Sequence, residues 1–133
     1  MSIVQELIIN KFEDIVEKWP SYDIGSIVCV KDAKSQLLEE AQVQLIIDTF
    51  ENDPEIGIVY TDCVINSGDT YYYKHSDASN IPNISFFIRK LSEVQFQRVQ
   101  MDVNNMMAGT MNYFMRSGYK LEHIGDAYFR YSV

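Results

Sequence analysis

Asp62 is the side chain in this sequence best placed for chemistry. It closes residues 50–62, FENDPEIGIVYTD, where an amphipathic helix hands over to a β-rich run ending on the acid. Ligands of open α/β sheets gather beyond the carboxyl ends of strands, so a carboxylate there is a candidate for contact with a substrate. The other reactive types are scattered. His75 and His123 lie far apart, with no carboxylate spacing that suggests zinc, and each reads as a plain polar residue. Tyr71-Tyr72-Tyr73 would offer a stacking platform, but alternate side chains of a strand face opposite ways, so ordinary sheet packing explains the run better. The methionines at 101, 106, 107, 111 and 115 fill a core or form a yielding contact surface. There is no P-loop, nucleophile elbow, Ser/His/Asp order or glycine-rich phosphate cradle.

The elements that must position Asp62 follow from hydrophobic periodicity. Ser2 and Gln5 have capping-box spacing. Apolar residues at 3, 7, 8, 12, 15, 16 and 19 then recur at helical intervals until Pro20, which predicts a helix over 3–19. Residues 24–30 (IGSIVCV) form a buried strand. The apolar positions 38, 41, 45, 46 and 50 mark a helix over 35–52, with Pro54 beyond it. Residues 56–65 return to strand, the turn signal Asn66-Ser67-Gly68-Asp69 follows, and 70–74 come back as a hairpin. Residues 75–83 form a loop, 84–89 (ISFFIR) a strand and 91–99 a short helix. A helix over 106–116 stops at Gly118 in the C′ place. Two short strands, 121–124 and 127–131, close the chain through Gly125-Asp126. Helices alternate with strands early and hairpins cluster late, the signature of a single α/β domain with a mixed sheet.

Composition narrows the partners. A chain of 133 residues, 47% hydrophobic, can bury a core as one domain. The net charge of -8 argues against nucleic acid, whose phosphates require Lys and Arg, and against anionic membrane surfaces. Cys29 and Cys63 fall in apolar runs without metal-type spacing and read as buried reduced thiols. The first residues mix Glu, Lys and Asp into their apolar run, unlike a signal peptide. No apolar run is long enough to span a bilayer. The expectation is a soluble cytoplasmic domain.

Four stretches, in order, resemble family-2 glycosyltransferases: the strand at 24–30 with its acidic and then helical sequel; residues 50–62; residues 83–90 (NISFFIRK); and residues 118–124 (GYKLEHI) followed by Phe129-Arg130-Tyr131. Together they span about residues 22–133. The resemblance implies a GT-A-like, Rossmann-like mixed sheet with flanking helices, truncated at the N-terminal side where the family carries its uracil- and ribose-binding units.

It also implies an activity, transfer of a hexosyl group from a nucleotide-sugar donor, and a set of site residues. The metal-binding D-x-D pair of the family corresponds to Val30-Lys31-Asp32-Ala33-Lys34, where Asp32 is the single carboxylate, set between lysines. Asp32 would then lie near the diphosphate and its Mn2+ or Mg2+, or the lysines would neutralise the phosphates directly. The plainer reading is a βα turn, with Asp32 or Ser35 capping the next helix. Asp62 would lie at the donor–acceptor cleft, with Ser85 and Arg89 along the acceptor strand. Asp102 is the one acid near the position of the catalytic base, displaced from it by several residues; its plainer reading is a turn or N-cap residue before the following helix. The competing function is a non-catalytic binding or assembly module that keeps the fold. A domain without its first βα units would leave apolar surface near residues 24–30, so a homodimer is expected.

Overall fold

The computed structural model describes residues 4–39, 41–66, 70–73, 85–91 and 106–132. The chain opens with a strand, not the expected helix: β1 is Val4–Ile9, and helix α1 follows only at Phe12–Lys18. The apolar residues fit both periods, and a neighbour decides between them. β1 pairs in parallel with β2 (Ile27–Asp32) from Val4↔Ile27 to Ile9↔Asp32, burying Leu7 and Ile9 on one face. Asp14 marks the break by accepting the backbone N–H of Asn10 at 2.8 Å and of Lys11 at 3.1 Å. The Asn10 bond chiefly holds its carboxyl below the usual aspartate range. A 3-10 turn, Trp19–Ser21, contains Pro20 and ends this unit.

The second expected helix also begins later. Residues Ser35–Leu37 form strand β3, and helix α2 runs from Val43–Asn52. Ser35 is buried opposite Tyr131 in an antiparallel ladder, so it does not cap a helix. Strand β4 is Ile56–Asn66 and β5 is Thr70–Tyr73, paired antiparallel as the expected hairpin from Asn66↔Thr70 to Cys63↔Tyr73. Strand β6 is Ser85–Arg89, helix α3 is Met106–Arg116, and β7 is Lys120–Ser132. Gly118 has φ +92°, and Tyr119 N–H returns to the Phe114 carbonyl at 3.0 Å, the glycine helix stop expected there. The two closing strands are one continuous strand. Thr61 pairs with Ile124 but Asp62 with Ala127, leaving Gly125 and Asp126 as a bulge. The loop at 75–83, residues 92–99 of the expected helix and Asp102 lie outside the described residues, while Leu91, where that helix was expected to start, is not helical.

The sheet order is β1-β2-β6-β4-β7-β3, with β5 beside the later half of β4. Strands β1, β2, β4 and β7 run one way, and β3, β5 and β6 run against them. This is the mixed α/β sheet read from the sequence. The strand at 24–30 is not the open edge, because β1 covers it. Side chains alternate across the sheet. Leu7, Ile9, Val28, Val30, Ile58, Phe86 and Ile88 pack with Ile15, Trp19 and Phe114 on one face. Ile27, Cys29, Val59, Cys63, Phe87 and Phe129 pack with Ile46 and Phe50 of α2 on the other. Each fully buried aliphatic or aromatic side chain of this kind contributes about 1.5–3 kcal/mol. Buried Lys90 ties the end of β6 to the 3-10 turn after α1, donating to the Trp19 carbonyl at 2.7 Å with Nζ 4.6 Å from the centre of its ring.

Candidate functional site

Asp32 is the last residue of β2, but parallel β4 does not end on Asp62 as expected: it runs four residues further, to Asn66, because β5 and β7 pair with that stretch. Antiparallel β6 lies between β2 and β4 and starts at Ser85, opposite Lys31. Extending the register from Val59↔Phe87 sets Ser85 level with Thr61. Asp32 and Asp62 therefore stand one row further on, two interstrand spacings apart, on the order of 10 Å. Asp32 lies two residues beyond Val30 and Asp62 two beyond Tyr60, which puts both on the face of α1 and α3. The Asp32 carboxylate accepts Lys34 N–H at 3.1 Å, closing the turn after β2. Burial, with both carboxylates adding to it, pushes the neighbouring Cys63 thiol up to about 11.

Asp62 is the more deeply set acid, its side chain 5% exposed. Its carboxylate lies 2.8 Å from Nε2 of His123, its one side-chain partner among the described residues. His123 reaches it from β7, opposite Tyr60 in the parallel ladder, and its ring stacks on Tyr60 at 4.9 Å and 22°. Burial raises the Tyr60 phenol above its ordinary range, with Glu122 adding to it. The bulge at Gly125 and Asp126 falls immediately after this stack. It changes the β4–β7 register between Thr61 and Asp62.

The other candidates separate from this pair. Ser85 lies at the same end of β6 and is fully buried, but it shares the parity of Phe87 and so belongs to the opposite face. Arg89 lies at the far end of β6. Its guanidinium donates to the carbonyls of Phe50, Asp53 (3.3 Å) and Pro54 (3.1 Å) and lies 5.1 Å from the Phe50 ring centre. There it satisfies the terminal carbonyls of α2 and borders a hollow of about 240 Å3 with Ile27, Phe50 and Pro54. Lys31 pairs with Glu6 at 2.9 Å, which leaves exposed Lys34 as the cation beside Asp32 that is not engaged in an ion pair among the described residues. No three His, Cys, Asp or Glu side chains come together as a metal site among the described residues.

His123 is the residue that sequence reasoning passed over. Its partner is remote in the chain, and only the parallel β4–β7 register brings the two together. The arrangement offers a buried carboxylate that orients an imidazole, with a second carboxylate and a lysine two strands away on β2 and the turn after it.

Neither a family model nor a curated protein matches the chain, so family-2 glycosyltransferases find no sequence support beyond the four stretches above. Among solved structures, the chain is similar to CMP:2-keto-3-deoxy-manno-octonic acid synthetase complexed with CTP, at 10% identity and a TM-score of 0.49. The match covers 89% of this chain and 60% of that one, so the chain spans less than two thirds of that protein's length.

Proposed function

We propose that this chain is a nucleotide-sugar-binding domain of glycosyltransferase type, with the donor lying over Asp32 at the carboxyl end of β2 and Asp62 within β4. One observation carries the reading: Asp32 and Asp62 share one face of the mixed sheet, in the row where β2 ends and beside the start of β6, and α/β folds hold their ligands beyond strand ends such as that of β2. Lys34 would meet the diphosphate as a point cation. A Mn2+ or Mg2+ ion travelling with the diphosphate would rest on Asp32 and take its other ligands from phosphate and water, the usual habit of magnesium. Such an ion supplies charge neutralisation for the leaving group. Ser85 and Arg89 support the strand between the two acids rather than touching the donor.

Thermal unfolding with a nucleoside diphosphate, with and without magnesium, tests this reading. A ligand at a hundred times its Kd adds about 2.7 kcal/mol to the native state, so a clear rise in Tm is expected. An unchanged Tm at millimolar nucleotide, with or without magnesium, refutes it. The non-catalytic alternative has one observation in its favour, the single carboxylate at Asp32 where the family has a pair. It predicts the rise in Tm without any turnover of donor. We also propose a homodimer formed at the outer edge of β1, where Ile8 is 47% exposed. A monomeric mass by light scattering refutes that assembly.

A further inference from the structure

We propose that His123 is the proton acceptor of this site and that Asp62 is its positioning residue. The group it deprotonates is a hydroxyl of the sugar acceptor, an assignment that rests on the nucleotide-sugar reading above. Three observations converge on the imidazole. First, an ionised carboxylate only accepts hydrogen bonds, so the Asp62 contact at 2.8 Å puts the proton of the neutral ring on Nε2 and the lone pair on Nδ1. Second, Nδ1 has no hydrogen-bond partner among the described residues, and the side chain keeps 30% of its surface exposed while Asp62 is buried. Among the described residues, the basic nitrogen is the one left for a ligand. Third, the ring plane is fixed by the Tyr60 stack. The β7 bulge begins just after His123 and changes the register at Asp62, the kind of irregularity that re-aims side chains beside active sites.

The step balances without a further reactant. The acceptor hydroxyl gives its proton to Nδ1, and the Asp62 carboxylate balances the imidazolium that forms. The acceptor oxygen bonds to the anomeric carbon as the bond from that carbon to the diphosphate oxygen breaks. The bonding pair leaves with the nucleoside diphosphate.

Water can serve as the acceptor in the test. Release of nucleoside diphosphate from a panel of nucleoside diphosphate sugars is measured for the wild type, His123→Gln and Asp62→Asn, alongside the Tm rise with nucleoside diphosphate. Loss of a general base lowers the rate by roughly a hundredfold or more. Both variants should therefore lose at least that much, and His123→Gln should keep the nucleotide-induced rise in Tm. A 15N NMR spectrum of the wild type at mildly alkaline pH should show the His123 proton on Nε2. Hydrolysis within twofold of wild type in His123→Gln, a proton on Nδ1, or no release from any donor by the wild type each overturns the proposal. An absent Tm rise in the wild type removes the nucleotide-sugar reading instead, so the two failures are distinguishable.

Discussion

Replacing Arg89 by Met separates a structural arginine from one that binds substrate. The change keeps most of the aliphatic stem and deletes the guanidinium, and with it the bonds to the carbonyls of Phe50, Asp53 and Pro54 and the contact over the Phe50 ring. Water can reach the end of α2, so the three carbonyls are counted as one charge-assisted interaction of about 1.5–3 kcal/mol. The contact over Phe50 adds about 0.5–1 kcal/mol. The expected loss is thus about 2–4 kcal/mol. At roughly 2.1 cal/mol/K for each of 133 residues, the unfolding entropy is about 0.28 kcal/mol/K. The loss then lowers Tm by about 7–14 °C. Urea unfolding should show the midpoint fall with an unchanged slope, and the nucleotide-induced rise in Tm should match that of the wild type. A stability within about 0.5 kcal/mol of wild type, together with loss of the nucleotide response, would refute this reasoning and return Arg89 to the donor site.

Gly57→Ala should destabilise the fold by about 1–3 kcal/mol through overpacking. A Cβ there meets the buried Phe114 ring, with Cε2 at 3.0 Å, and Tyr119 Cβ at 3.0 Å. Urea unfolding reads the loss, and Phe114→Leu in the same chain should recover part of it. Cys29 and Cys63, pushed by burial to about 12 and about 11, should resist iodoacetamide in the native chain at mildly alkaline pH and react in concentrated urea. The native thiols hold their protons more tightly than the unfolded ones. Their contribution to stability is therefore complete below pH 9.0, the ordinary value, and is lost as pH climbs through about 11 and 12. Labelling of native Cys63 at the rate seen in urea would contradict its burial.

The sequence was most legible where local chemistry agreed with the tertiary partner. Strand β4, the hairpin to β5, helix α3 and its Gly118 stop were each readable from β-rich composition, turn residues and periodicity. The N-terminal segment was not, because 3, 7, 8, 12, 15 and 16 satisfy a helical period while Leu7 and Ile9 also satisfy a strand's alternation. The ladder to β2 decides the matter, and it joins residues that no local window contains. Ser35 misleads in the same way: its partner, Tyr131, lies at the other end of the chain. At the site, Asp32 was visible as an acid closing a strand, whereas Asp62, read the same way, lies within β4 because the remote pairing with β7 carries the strand on to Asn66. Arg89 was visible as a charge but not as the partner of α2's carbonyls. His123 could not be paired with Asp62 until the β4–β7 register was known.

That same register governs when the molecule can fold. β4 borders β6 and β5 along one edge and β7 along the whole of the other, from Ile56↔Lys120 to Asn66↔Ser132. β2 likewise takes β6 as its second neighbour, far along the chain. Little of the central sheet can close from sequence neighbours alone, and closing such long loops makes folding slow. During synthesis the strand from Ile56 must wait, with one edge unpaired, until Lys120–Ser132 has left the ribosome. The stretch Lys120–Ser132 is therefore the one that completes the centre of the sheet, and a chain stalled or clipped before it exposes an apolar strand edge ready to pair with another copy.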